Sequence, residues 1–238
     1  MLVVRPECDN CGADDREPLL TKPGMWMPDV TYTMVRCRGC GHLYIHPRPD
    51  AATLQALYDA AFYQGRIDHL AAAKTSVHGG MLEHVRGLTP PLGRLLDIGC
   101  GLGDFASNLP EYFCAGYETA EFALEHCRRG RLVVYGPDSG CIPRDYYDTV
   151  TAIEVLEHAF SPREIFKLAY DCLRPGGVFY YTTFPFDGWT PDCSWGQDYI
   201  QPEQHLNFFT RPVVEEYLRR AGFSRTMACG GLLPLGVK

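Results

Sequence analysis

Short apolar runs separated by polar, helix-period segments dominate the middle of the chain. Leu95-Leu96-Asp97-Ile98 reads as a buried strand, and Phe105-Ala106-Ser107-Asn108-Leu109 as the helix that follows it. Ala115 to Tyr117 is a second short apolar stretch. Tyr147 to Glu154 is a third strand that runs into polar residues, and Val178 to Tyr181 is a β-rich segment behind a Pro175-Gly176-Gly177 turn. Pro212 to Ala221 has Pro at its start and Gly222 at its end, the signature of a late helix, and Phe223 to Cys229 reads as a strand. Upstream, Val30 to Arg36 has strand character, while Leu54, Leu57, Tyr58 and Ala61 recur at helical spacing between Ala51 and Tyr63. Strands alternating with helices predict an α/β sheet.

The junction after the first of these strands carries chemistry. Gly99, Gly101 and Gly103 alternate behind Asp97 and open into the helix at Phe105. Lacking Cβ, they allow positive φ and close approach of a ligand to main chain, at the carboxyl end of a strand where open α/β sheets bind substrates. The spacing is not G-x-G-x-x-G, and the acidic Asp97 argues against a pyrophosphate bound at the helix N-terminus. Glu118, about 20 residues on, stands at the usual distance for a carboxylate that accepts both hydroxyls of a ribose.

A second pattern lies near the start. Cys8-x-x-Cys11 and Cys37-x-x-Cys40 are separated by 25 residues, and each pair is followed by glycine. Two such knuckles aim four thiolates at one point, the pattern of a structural Zn2+ site with no open coordination position. The other seven cysteines show no paired spacing and read mostly as small buried hydrophobes. No signal peptide or long apolar span is visible, so the expected location is the cytoplasm, where disulfides are disfavoured.

The 238 residues suffice for one α/β domain plus a small module that metal would stabilise. With 22 Lys and Arg against 29 Asp and Glu, the formal charge of −7 argues against a broad nucleic-acid surface. The expected organisation is a zinc ribbon over 1–48, a Pro-rich linker and helical cap over 49–80, and an α/β domain over 81–238.

Taken in order, these motifs resemble the class I S-adenosylmethionine-dependent methyltransferases, and among them the ubiquinone-biosynthesis and deoxysugar types. The resemblance implies a Rossmann-like sheet with helices on both faces, preceded by the ribbon. It also implies S-adenosylmethionine as cofactor beside the Zn2+. The cofactor-facing positions it implies are Asp97, Gly99, Cys100 through its backbone, Gly101, Gly103, Phe105, Glu118, Thr119, Ile153 and Glu154, with Asp138 nearest to the adenine position and Tyr63 in a covering segment.

Deprotonation of a methyl acceptor suits a histidine, whose pKa lies near working pH. His158 follows the third of these strands beside Glu157, a pair that the resemblance places on the substrate; His205 is a second proton-transfer candidate. Phe184 to Gln204, rich in aromatics and punctuated by Gly and Pro, is expected to form a substrate lid. The function expected is methyl transfer to a small-molecule acceptor, without membrane or nucleic-acid partners. The alternatives are an RNA methyltransferase that reads RNA through the ribbon, and a scaffold whose catalytic domain has decayed.

Overall fold

The computed structural model describes residues 2–3, 7–65, 79–130, 132–227 and 233–238. In chain order the elements are β1 (Leu2–Val3), β2 (Arg16–Pro23), β3 (Thr31–Cys37), β4 (Leu43–His46), β5 (Arg48–Pro49), α1 (Ala51–Leu57) and α2 (Gly79–Leu88). They continue with β6 (Arg94–Ile98), α3 (Asp104–Ser107), β7 (Phe113–Tyr117), α4 (Glu121–Arg129), β8 (Val133–Tyr135), β9 (Tyr147–Ile153) and α5 (Pro162–Cys172). The last are β10 (Leu173–Thr182), β11 (Asn207–Phe208), α6 (Arg211–Ala221), β12 (Arg225–Met227) and β13 (Leu235–Val237). Residues 60–65 add a helical turn. The chain divides into one unit of Met1–Leu54, Glu154–Lys167 and Thr182–Leu235 and a second of Gln55–Ile153, Leu168–Tyr181 and Gly236–Lys238.

The second unit is built on the predicted alternation. Its strands belong to a seven-stranded sheet of order β12-β13-β10-β9-β6-β7-β8. β6 pairs in parallel with β7 and β9, and β7 with β8. Leu95, Leu96, Asp97 and Ile98 are all at most 2% exposed, which is why β6 reads as a continuous rather than an alternating run. The chain leaves β6 toward β7 and β8, then returns to β9 on the other side. The carboxyl end of β6 is therefore a topological switch point. Pro175-Gly176-Gly177 lies within β10 rather than ahead of it, with Gly176 at φ 80 and its N–H bonded to the Lys238 carbonyl.

The first unit centres on an antiparallel sheet of order β11-β4-β3-β2. Two-residue periodicity divides it cleanly. Tyr32 and Met34 of β3 with Leu43 and Ile45 of β4 face one cluster, while Val35, Cys37 and Tyr44 pack with Cys8 on the other face. The first cluster is completed by Phe186, Trp189, Ile200 and Phe208. The expected lid is corrected accordingly: Phe186 is 1%, Trp189 3% and Ile200 3% exposed, because the larger apolar face of this sheet needs a cover and this segment provides it. The described cysteines outside the two pairs are mixed: Cys100, Cys127 and Cys172 are buried, Cys114 and Cys193 half-buried and Cys141 exposed, while Cys229 lies outside the described residues.

Candidate functional site

At the end of β6 the three glycines take φ 68, 52 and 81 at Gly99, Gly101 and Gly103. A Cβ on Gly103 would meet Leu132 at 3.0 Å and the Cys127 sulfur at 3.3 Å, so conformation and space both require glycine there. Over Gly101 the space is open, bounded by the Tyr63 ring at 3.9 Å. Tyr63 is buried and stacks on Phe122 with centroids 5.9 Å apart. The cradle is thus mostly main chain with an aromatic lining.

Two carboxylates attend it. Glu118 Oε2 accepts the Gly101 N–H at 2.9 Å, while Oε1 accepts the Thr119 and Ala120 N–H groups at 2.6 and 2.9 Å. A buried carboxylate held by amides in this way is fixed in place without a cationic partner. Asp97 is 2% exposed and accepts the Thr151 hydroxyl at 2.6 Å. Burial, with the Glu118 and Asp104 charges adding to it, pushes its pKa up to about 7. Of the other positions expected here, Cys100 and Phe105 are buried, Thr119 and Asp138 exposed, and Ile153 half-buried at the end of β9.

The first unit gathers Glu157, His158 and His205, whose ligand-type atoms lie within 4.8 Å of one another. The two imidazole rings meet edge to face at 4.7 Å. His158 Nδ1 lies 2.9 Å from the Gln204 carbonyl and His205 Nδ1 2.5 Å from the Tyr199 carbonyl. A carbonyl only accepts, so each Nδ1 carries the proton, and in the neutral ring Nε2 keeps its lone pair. Both rings are held toward the neutral form. Burial lowers the His158 pKa, and burial followed by the His158 charge takes His205 down to about 4.

Glu157 is 1% exposed, accepts the Tyr199 hydroxyl at 2.8 Å and is pushed up in pKa by burial. Glu154 sits at φ 52, a left-handed backbone unusual for a side chain of its size. Its N–H is 3.1 Å from the Thr182 hydroxyl and 3.2 Å from the Thr182 carbonyl, which stabilises that turn. Partial desolvation, then the Glu157 charge, pushes the Glu154 pKa up to about 7.

Tyr199 is the member of the cluster that the sequence did not single out for chemistry, and Thr151 the missing partner of Asp97. Each is joined to its partner across tens of residues, 42 for Tyr199 and Glu157 and 54 for Thr151 and Asp97. Thr151 sits one strand from Asp97 in register, which sequence could have flagged only with the strand order known.

Cys8, Cys11, Cys37 and Cys40 come together as a third group. Cys8 and Cys40 sulfurs are 3.7 Å apart, Cys11 and Cys37 sulfurs 3.5 Å. A tetrahedron with zinc–sulfur bonds of about 2.3 Å has edges of about 3.8 Å, so the four sulfurs fit such an ion. The two knuckles repeat one construction. The Gly12 N–H bonds to the Cys8 carbonyl and the Gly41 N–H to the Cys37 carbonyl, both at 2.8 Å, and both glycines take φ 78. The glycine after each pair, visible in the sequence, supplies that left-handed residue.

Residues 66–226 match a family described as a methyltransferase domain, and the chain belongs to that family. It is 29% identical over 172 residues to a malonyl-[acyl-carrier protein] O-methyltransferase of Methylococcus capsulatus, covering 66% of this chain and 62% of that protein. It is 30% identical over 154 residues to a ubiquinone biosynthesis O-methyltransferase of Idiomarina loihiensis, covering 52% of this chain and 62% of the relative. The chain thus spans less than two thirds of these relatives' length. Among solved structures, the [4+2]-cyclase SpnF superposes with TM-score 0.58 at 19% identity over 76% of each chain. An S-adenosylmethionine dependent methyltransferase of Mesorhizobium loti superposes with TM-score 0.52 at 17% identity, over 68% of this chain and 98% of that one. These likenesses define the Rossmann-like methyltransferase fold. Among the described residues no helix is long and apolar enough to cross a membrane.

Proposed function

We propose that the chain is an S-adenosylmethionine-dependent methyltransferase acting on a small-molecule acceptor, with a structural Zn2+ held by Cys8, Cys11, Cys37 and Cys40. The observation that carries the reading is the glycine turn with Glu118 bonded across it to the Gly101 amide. When bound, the nucleoside supplies an electrophilic methyl group on a sulfonium. Glu118 is fixed to accept two ribose hydroxyls, and Gly99 to Gly103 offer main chain against the ligand. Tyr63 lines the open side above Gly101. Asp97, bonded to Thr151, is the acidic member of the proposed cofactor-facing set at the end of β6. Phe105, Thr119, Asp138, Ile153 and Glu154 complete the proposed cofactor-facing set, Asp138 toward the adenine.

His158 is proposed as the base. Its neutral ring presents the Nε2 lone pair, with Glu157 Oε1 4.0 Å from that nitrogen to orient the ring. His205, beside it, is the second candidate. Both curated relatives are named as O-methyltransferases, which supports oxygen as the atom methylated. Four thiolates close the metal's coordination, so the ion braces the fold and takes no part in transfer.

Isothermal calorimetry with S-adenosylhomocysteine tests the reading. The wild-type chain is expected to bind it, and Asp97→Ala and Glu118→Ala to weaken binding while the circular dichroism spectrum is kept. Unchanged affinity in both variants would overturn the assignment.

A further inference from the structure

The two metal knuckles differ in what lies between their cysteines. Arg38 and Gly39 of the second are exposed, whereas Asp9 and Asn10 of the first are 9% and 0% exposed. A buried aspartate needs partners, and those of Asp9 converge on one place. Its carboxylate accepts the Ser161 hydroxyl at 2.7 Å, the Arg163 backbone N–H at 2.9 Å and the Tyr217 hydroxyl at 3.3 Å. Its own carbonyl accepts Arg163 Nε at 2.5 Å. Asn10 Nδ2 reaches the Val213 carbonyl of α6 at 3.5 Å.

Ser161 and Arg163 are the start of α5, where backbone N–H groups have no partner within the helix and negative charge is favoured. Asp9 therefore caps α5 from a chain segment 152 residues away. The turn entering that helix is Leu156-Glu157-His158-Ala159-Phe160-Ser161. Its other end is held by Asn207, whose side chain donates to the Ala159 carbonyl at 2.7 Å and whose backbone N–H meets the Glu157 carbonyl at 3.1 Å. The histidine turn is thus pinned at one end by β11 and at the other by the knuckle. His42 ties the same knuckle to α6: its Nδ1 lies 3.7 Å from the Cys8 sulfur and 3.4 Å from the Tyr217 hydroxyl.

We propose that Asp9 is a positioning residue for the Glu157-His158 turn, and that metal in the four-cysteine site holds Asp9 in place to do it, so metal occupancy sets the order of the histidine cluster. The proposal rests on the zinc reading above for its second half only. Loss of the ion, by chelation or by oxidation of the thiolates, frees the first knuckle and with it the start of α5.

Hydrogen exchange read by mass spectrometry on the full chain tests this, with zinc content measured on the same samples. Asp9→Ala is expected to retain one zinc per chain while peptides covering 156–166 exchange about tenfold faster, the scale of one lost helix cap. The His158 Cε1–H NMR signal is expected to shift, and peptides of β3 and β4 to stay protected. Asp9→Asn, which keeps one acceptor, is expected to restore part of the protection, and carries the same test if the alanine variant does not fold. Wild-type protein stripped of zinc by a chelator is expected to show the same faster exchange over 156–166. Unchanged exchange there in Asp9→Ala would overturn the positioning role, as would loss of zinc from Asp9→Asn. Unchanged exchange in the stripped wild type would overturn the coupling to metal. A wild-type chain that carries no zinc after zinc-supplemented growth would refute the metal reading itself, while the two Asp9 variants would still decide the cap.

Discussion

Glu118 and Glu157 are both buried glutamates just beyond strands, 7% and 1% exposed, yet their surroundings are opposite. Three backbone amides point at Glu118, whereas Glu157 receives the Tyr199 hydroxyl and lies beside two imidazoles and Glu154. The first environment is preorganised to hold an anion. In the second, burial raises the pKa of Glu157 and favours its neutral form. One chain thus holds the same side chain in two electrostatic settings, and main-chain donors make the difference.

The comparison can be sharpened by substitution. The largest effect is expected from His158→Gln, which removes the Nε2 lone pair; initial rates of methyl transfer should fall about 10²- to 10⁴-fold. S-adenosylhomocysteine affinity in that variant should change little, and an equal loss of binding would break the division of labour. Next come the two glutamates themselves. Glu118→Gln turns an amide donor toward a backbone N–H and should weaken nucleoside binding about 10- to 100-fold by calorimetry. Glu157→Gln should alter stability by less than about 1 kcal/mol in denaturant titration, because it copies the neutral carboxyl that burial favours. Reversed rankings would show that the two environments were misassigned.

A smaller effect concerns pH. His205 titrates near 6.5 when unfolded and at about 4 in the fold, held down by burial and by His158, so the unfolded chain binds more protons between those values. Stability is complete above pH 6.5 and is lost as the pH falls toward 4, by up to about 3 kcal/mol. Thermal melts of His205→Gln should show a flatter acid limb. Asp97, whose pKa is raised to about 7, responds to pH in the opposite sense. Its stabilising contribution is present at low pH and lost as the pH rises through 7. Asp97→Asn should therefore melt higher than wild type at pH 8, by up to about 4 kcal/mol in free energy, while binding the nucleoside less well.

What could be read from sequence was local. Gly99 to Gly103 work through backbone conformation within a handful of residues, and each cysteine knuckle closes on itself through Gly12 or Gly41. The spacing to Glu118 was legible because one helix-and-strand crossover fixes it. Clusters assembled by topology were not. β11 adds to β4 with Asn207 opposite Tyr44, and nothing in either segment announces the other. Trp189 and Ile200 carry no period that separates a lid from the cover of a small sheet, so their burial emerged only with the sheet itself. The Asp9 cap was hidden for the same reason, since a capping carboxylate normally precedes its helix by one residue and here stands 152 residues from Ser161.

Strand β3 presents Tyr32 and Met34 to one side and Val35 and Cys37 to the other. Its reading frame is therefore locked twice. Inserting one residue between Met34 and Val35 would rotate everything on one side of the insertion by half a pleat, turning a cysteine toward the aromatic cover or an aromatic toward the four-cysteine cluster. Two unrelated penalties would fall on the same slip, so this short segment tolerates no change of length.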